Sequence, residues 1–153
     1  GVIYFGLMLT PNGPKVIEYN SRFGDPETQC VLPRLDTDLI DIFDAVIDEK
    51  LHEIDIKWKK EAACCVVIAS GGYPVKYQSG YEIFGLDDAA KTGVTVYHAG
   101  TKKENDKFYN AGGRVLGITA LGDTLQDAIS KAYCGVEKIS WQDSFYRKDI
   151  GKK

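Results

Sequence analysis

Arginine is scarce, with four residues against 15 lysines; histidine occurs twice and methionine once. Base does not exceed acid: 19 Lys and Arg stand against 22 Asp and Glu, a formal charge of −3 with a pI near 5.4. A nucleic acid or an anionic bilayer is recognised by a basic surface, so neither partner is expected. The longest apolar runs, Val2 to Leu9 and Ala62 to Ala69, fall far short of the roughly 18 residues that a membrane helix needs, and no membrane span is expected. There is no H-E-x-x-H and no C-x-x-C. His52 and His98 cannot build a zinc site with cysteines at 30, 64, 65 and 134, so these thiols are expected to be reduced, buried core residues of a cytosolic protein. A basic start, an apolar stretch and a small-residue cleavage site are all missing from the N-terminus, so no signal peptide is expected in this segment. The chain opens at Gly1 without Met and runs straight into Val2-Ile3-Tyr4-Phe5, which suggests a fragment of a longer enzyme. No repeat or low-complexity segment occurs.

What is present describes a globular protein: 153 residues, 44% hydrophobic and 27% charged. That length allows one domain, or a small domain with part of another. Residues 2 to 9 and 15 to 22 are rich in β-branched and aromatic types and flank the turn formers Thr10-Pro11-Asn12-Gly13-Pro14, predicting a β-hairpin. Asp25-Pro26-Glu27 offers a capping carboxylate, a proline at the first helical position and a first-turn acid, so a short helix is predicted from there to about Pro33. From Thr37 onward Leu39, Ile40, Phe43, Val46, Ile47, Leu51 and Ile54 recur at helical spacing, predicting a surface helix with one buried face. At Lys57-Trp58-Lys59-Lys60 the acid-rich stretch gives way to the apolar run Ala62 to Ala69, and net charge changes from −4 (11 acids, 7 bases, residues 1 to 60) to +1 (11 acids, 12 bases). A domain boundary is therefore placed near 58, giving domains 1–58 and 59–153. In the second, glycine-broken short strands, including Val94 to His98 and Arg114 to Leu121, suggest a small barrel-like sandwich. One helix, capped by Asp123 with Gln126 and striped by Leu125, Ala128, Ile129, Ala132, Tyr133 and Val136, should cover it. The fold class expected is α+β.

Strand alternation places Glu18, Asn20 and Arg22 on one face of the second hairpin strand, with Ile17 and Tyr19 on the other. A carboxylate and an amide oxygen so spaced can ligate one hard divalent cation, with phosphate oxygens and water completing the octahedron and Arg22 holding an anion beside it. A solvated polar face has the same pattern. The following Arg22-Phe23-Gly24-Asp25-Pro26-Glu27 leads to a helix whose N-terminal amides could bind an anion; simple capping is the alternative. Arg22 and Arg114 are the better anion candidates among the four arginines, because the planar fork suits carboxylate and phosphate. Gly85 to Thr92 (GLDDAAKT) nearly matches a phosphate loop, but Ala90 replaces the second glycine and two aspartates oppose the charge, so it is set aside.

In order along the chain, GVIYFGLMLTPNGPKVIEYNSRFGDPETQ, SGGYPVKYQSGYEIFGL, VYHAGT, GGRVLGITALGDTLQDAISKAY and FYRKDIG resemble the phosphoribosylamine-glycine ligase (glycinamide ribonucleotide synthetase) family. The first resembles the end of its ATP-grasp domain and the rest its C-terminal domain. The resemblance implies formation of glycinamide ribonucleotide from ATP, glycine and 5-phosphoribosylamine through glycyl phosphate, in purine synthesis. It implies Glu18 and Asn20 as magnesium or manganese ligands, and a substrate-side role for Arg22, Gly24, Asp25, Pro26 and Glu27, with Arg22 stabilising the transferring group. It also implies that an N-terminal domain and an ATP lid precede Gly1 in the intact polypeptide, and that the fragment alone is inactive. The ending RKDIGKK suggests a monofunctional chain. A non-catalytic binding module, or an ATP-grasp ligase of another carboxylate and amine, are the alternatives.

Overall fold

A computed structural model describes residues 1–152. The chain divides into two compact units, Gly1–Lys59 and Lys60–Lys153.

In the first unit, β1 (Tyr4–Thr10) and β2 (Gly13–Asn20) pair antiparallel around Pro11 and Asn12. Gly13, at φ +90°, takes the left-handed conformation that this tight reversal needs. A bulge interrupts the ladder: Gly6 faces Glu18 and Leu7 faces Val16, so Ile17 is the extra residue. The first helix, α1 (Thr28–Val31), begins later than predicted and passes into a 3-10 turn, Leu32–Arg34. Pro26 follows a cis bond and does not open the helix; Glu27 is the capping residue and makes no side-chain cap. The second helix, α2 (Leu39–Ile47), is capped by Asp38, whose Oδ1 accepts from the Ile40 N–H at 2.8 Å. It is shorter than its apolar period predicts. Glu49 turns to φ +59° and the Lys50 N–H donates back to the Ala45 carbonyl at 2.7 Å, which ends the helix and puts Leu51 in a separate 3-10 turn.

The expected buried face of α2 is also corrected. Ala45 is its one buried residue, while Ile40 is 61% and Ile47 77% exposed. Leu39, Ile42, Phe43 and Val46 line an apolar groove of about 270 Å³ together with Phe23 and the half-exposed Trp58.

The second unit is built on the apolar run β3 (Ala62–Ala69) and on β7 (Arg114–Gly122), which pair antiparallel from Ala62 opposite Gly122 to Ala69 opposite Arg114. Adding β4 (Thr95–His98) and β8 (Phe145–Tyr146) gives a four-stranded sheet in the order β4-β7-β3-β8, antiparallel throughout. A separate hairpin joins β5 (Thr101–Glu104) to β6 (Lys107–Asn110); its turn residues Asn105 and Asp106 both have positive φ, the requirement of a two-residue reversal that matches strand twist.

Two α-helices occur among the described residues of this unit. The short α3 (Leu86–Ala90) starts from Gly85 at φ +85°, where a Cβ would lie 1.8 Å from the Lys138 carbonyl oxygen. The covering helix α4 (Leu125–Val136) packs Ala128, Ile129, Ala132 and Val136 into one core with Val66, Ile68, Val115, Leu116 and Ile118. Its cap is one residue on from the predicted pair: Thr124 Oγ1 accepts from the Asp127 N–H at 3.1 Å and Asp127 Oδ2 accepts from the Thr124 N–H at 3.3 Å. The extended backbone of Thr124 suits the capping position, and Asp127 then sits at the third helical residue. The cysteines are not all core residues as expected: Cys64 is buried, Cys30 and Cys65 are half-buried and Cys134 is exposed. No helix among the described residues is long and apolar enough to cross a membrane.

Candidate functional site

Glu18 and Asn20 stand two apart beyond the bulge, where alternation along β2 is undisturbed. They meet: Asn20 Nδ2 donates to Glu18 Oε1 at 3.3 Å. Gly6 faces Glu18 across the hairpin, and a Cβ there would come 3.0 Å from Glu18 Cγ, so the missing side chain leaves the carboxylate room over β1. Tyr4 faces Asn20 on the same side. Burial raises the Tyr4 phenol above its ordinary value, and the negative charges of Glu27 and then Glu18 raise it further. The carboxylates of Glu18 and Glu27 therefore both act on Tyr4. Neither Gly6 nor Tyr4 was singled out from sequence; the hairpin register, counted back from Glu18 and Asn20, is the signal that reaches them.

Arg22 does not share the strand face. β2 ends at Asn20, the chain bends at Ser21 and Arg22, and Arg22 Nη1 donates to the Phe23 carbonyl at 2.8 Å. Gly24 is buried, and a Cβ on it would lie 2.3 Å from Glu27 Oε2; glycine lets the Glu27 carboxylate fold back over the chain. The Gly24 carbonyl accepts from the Thr28 N–H at 3.0 Å and from the Thr28 hydroxyl. Asp25 Oδ1 accepts from Gln29 Nε2 at 3.0 Å.

Three of the amides expected to face an anion at the helix start are engaged within the turn. The Thr28 N–H is spent on Gly24, and the N–H groups of Cys30 and Val31 both donate to the Glu27 carbonyl at 2.9 Å, in a helix of four residues. Arg114 belongs to the second unit, at the first position of β7, and is exposed. His98 also belongs to the second unit. Its ring stacks on Phe108 at 4.5 Å between centroids, and burial lowers its pKa below the ordinary imidazole value.

The donor set can be tested against a divalent cation. Glu18 and Asn20 offer hard oxygens within reach of one another at an exposed strand end, and rotation of the Asn20 amide would bring its oxygen to face the same point. Among the described residues no group of three or more His, Cys, Asp or Glu side chains could enclose a metal. The pair fits an ion that takes its other ligands from phosphate and water, as magnesium commonly does.

Comparison with known proteins agrees over both units. Residues 63–153 match the family described as phosphoribosylglycinamide synthetase, C domain, and residues 1–28 match phosphoribosylglycinamide synthetase, ATP-grasp (A) domain. The phosphoribosylamine-glycine ligase of Clostridium acetobutylicum is 51% identical over 152 residues, covering 99% of this chain and 36% of that protein. That of Fusobacterium nucleatum is 48% identical over 153 residues, again 99% and 36%. The crystal structure of phosphoribosylamine-glycine ligase from Thermotoga maritima superposes with a TM-score of 0.76 at 31% identity, covering 97% of this chain and 36% of that one. The chain thus spans about a third of the length of these relatives. Its sequence along both units, and the fold those units adopt, make it a member of the phosphoribosylglycinamide synthetase family.

Proposed function

We propose that the chain is the C-terminal third of an ATP-dependent ligase that joins glycine to 5-phosphoribosylamine. The products are glycinamide ribonucleotide, ADP and phosphate, and the reaction is a cytoplasmic step of purine synthesis. The observation that carries this reading is the contact of Glu18 with Asn20 at the end of β2, in a segment that matches the family's ATP-grasp domain. Residues 1–58 are assigned to the end of that domain and 59–153 to the C-terminal domain. The remaining two thirds of such a polypeptide supply the N-terminal domain and the lid over ATP.

In this reaction a glycine carboxylate oxygen attacks the γ-phosphorus and ADP leaves; the amine nitrogen then attacks the acyl carbon, phosphate leaves and the nitrogen loses a proton. Both steps need alignment and charge neutralisation more than a protein nucleophile. Magnesium or manganese held by Glu18 and Asn20 would neutralise ATP phosphate charge. Arg22 is assigned to the transferring phosphoryl group, since one donor of its fork is spent on Phe23 and the others can reach an anion. Gly24, Asp25, Pro26 and Glu27 form the turn beside the substrates, with Gly24 admitting the folded Glu27 carboxylate. Arg114 is assigned as a second anion contact.

The test is phosphate release from ATP by the chain joined to its upstream sequence. Release that requires both glycine and phosphoribosylamine, and that falls by about a hundredfold or more in Glu18→Ala, is expected. Release indifferent to the substrates, or unchanged in the variant, would overturn the reading.

A further inference from the structure

The second unit holds a cleft of about 550 Å³ beside the loop that leaves β3, lined in part by Gly71, Gly72, Lys76, Gln78, Gln142 and Asp143. Its shape is built from inside. Asn110, only 1% exposed, donates through Nδ2 to Ser70 Oγ and to the Gln78 carbonyl, both at 2.8 Å, and accepts through Oδ1 from the Tyr81 N–H at 2.7 Å. Ser70 Oγ donates onward to the Gly112 carbonyl at 2.8 Å. One buried amide thus clamps the loop at its start and its end.

The two glycines are required by close approach. A Cβ on Gly71 would lie 2.6 Å from the Asp143 carbonyl oxygen, and one on Gly72, at φ +89°, would lie 2.0 Å from the Lys76 carbonyl oxygen. Among the described residues the N–H groups of Gly71 and Gly72 have no backbone or side-chain acceptor, and Lys76 has no acidic partner. Successive unpaired amides around a left-handed glycine form an anion nest, and a neighbouring ammonium adds charge. Asp143 also lines the cleft; a carboxylate there repels a bare anion but accepts from hydroxyls. Tyr81 Oη donates to Gln78 Oε1, which leaves the Gln78 amide hydrogens for a ligand.

We propose that this cleft binds a phosphorylated sugar, with the phosphate on the Gly71 and Gly72 amides and Lys76, and the hydroxyls on Asp143 and the two glutamine carboxamides. The volume is far larger than one phosphate fills and lies in the range of small-molecule sites. The assignment rests on the ligase reading, which has a phosphorylated pentose among its substrates, and it names where that sugar phosphate is held.

Ribose 5-phosphate, inorganic phosphate and ribose are titrated separately into the isotope-labelled 153-residue chain, and amide shifts are followed by NMR. Ribose 5-phosphate is expected to shift the Gly71 and Gly72 amides saturably and to bind more tightly than either of the other probes. Lys76→Met, an exposed change that leaves the rest of the spectrum in place, is expected to weaken binding about tenfold. Glycine amides that do not move, or equal affinity in Lys76→Met, would overturn the assignment. Equal affinity for inorganic phosphate and ribose 5-phosphate would leave an anion nest and overturn the sugar. Manganese-induced broadening at Glu18 and Asn20, recorded on the same sample with ADP, reports on the ligase reading independently, so the two can fail separately.

Discussion

Tyr4 is the residue through which the first unit's charges can be read in solution. Its phenol is raised by burial and then by Glu27 and Glu18, so the fold favours the neutral form. The associated stability is complete below the ordinary phenol value and is lost as pH rises through the raised one. Titration of Tyr4, by the difference spectrum between wild type and Tyr4→Phe, should show ionisation above the ordinary value. Glu18→Gln and Glu27→Gln should each bring it part of the way down. An unmoved midpoint in both variants would mean that the carboxylates do not converge there. Asn110 is the corresponding residue of the second unit. Asn110→Ala strands the Tyr81 N–H, the Gln78 carbonyl and the Ser70 hydroxyl, which should cost roughly 2–4 kcal/mol, measured as a lower urea midpoint with unchanged slope. Asn110 is one polar residue at the end of a lysine-flanked hairpin strand, and its sequence context held no sign of a buried hub.

Helix starts separate what local chemistry encodes from what neighbours decide. The Thr124 and Asp127 pair closes a reciprocal cap on α4, and Thr124→Ala should lower unfolding free energy by about 1 kcal/mol, read from thermal or urea denaturation. The cap expected from sequence, Asp123 with Gln126, lies one residue earlier. The choice falls on Thr124 because β7 runs to Gly122, whose absent side chain admits the first turn of α4: a Cβ there would lie 2.5 Å from the Ala128 nitrogen. At α1 the turn closed by Gly24 and Thr28 takes the place of the predicted proline-led start. The length of α2 was overestimated for a related reason. Apolar spacing continues through Leu51 and Ile54, but hydrophobic period carries no information about the left-handed Glu49 that breaks the helix.

At the scale of the molecule, the two units differ in how much they bury. Beyond α2's Ala45, the first unit buries only Gly24, whereas the second encloses Val66, Ile68, Val115, Ile118, Ala128, Ala132 and Val136 almost completely. Hydrogen exchange should therefore proceed from the first unit, with β1 and β2 amides exchanging quickly and β3 and β7 amides protected to the limit of global unfolding; equal protection in both units would contradict this. Residues 60–153 expressed alone should fold and unfold cooperatively. The sequence by itself determined the hairpin, the two central strands, the covering helix and the shared strand face of Glu18 and Asn20. Each of these follows from a periodicity or spacing of a few residues, over which strand alternation and helical repeat act directly on neighbours in the chain. Only the tertiary structure decided that Arg22 leaves the strand face and that Gly6 and Tyr4 frame Glu18. It alone decided, too, that Asn110 clamps a loop 40 residues away at Ser70. Those relations depend on register and close packing between distant segments, which no local pattern specifies.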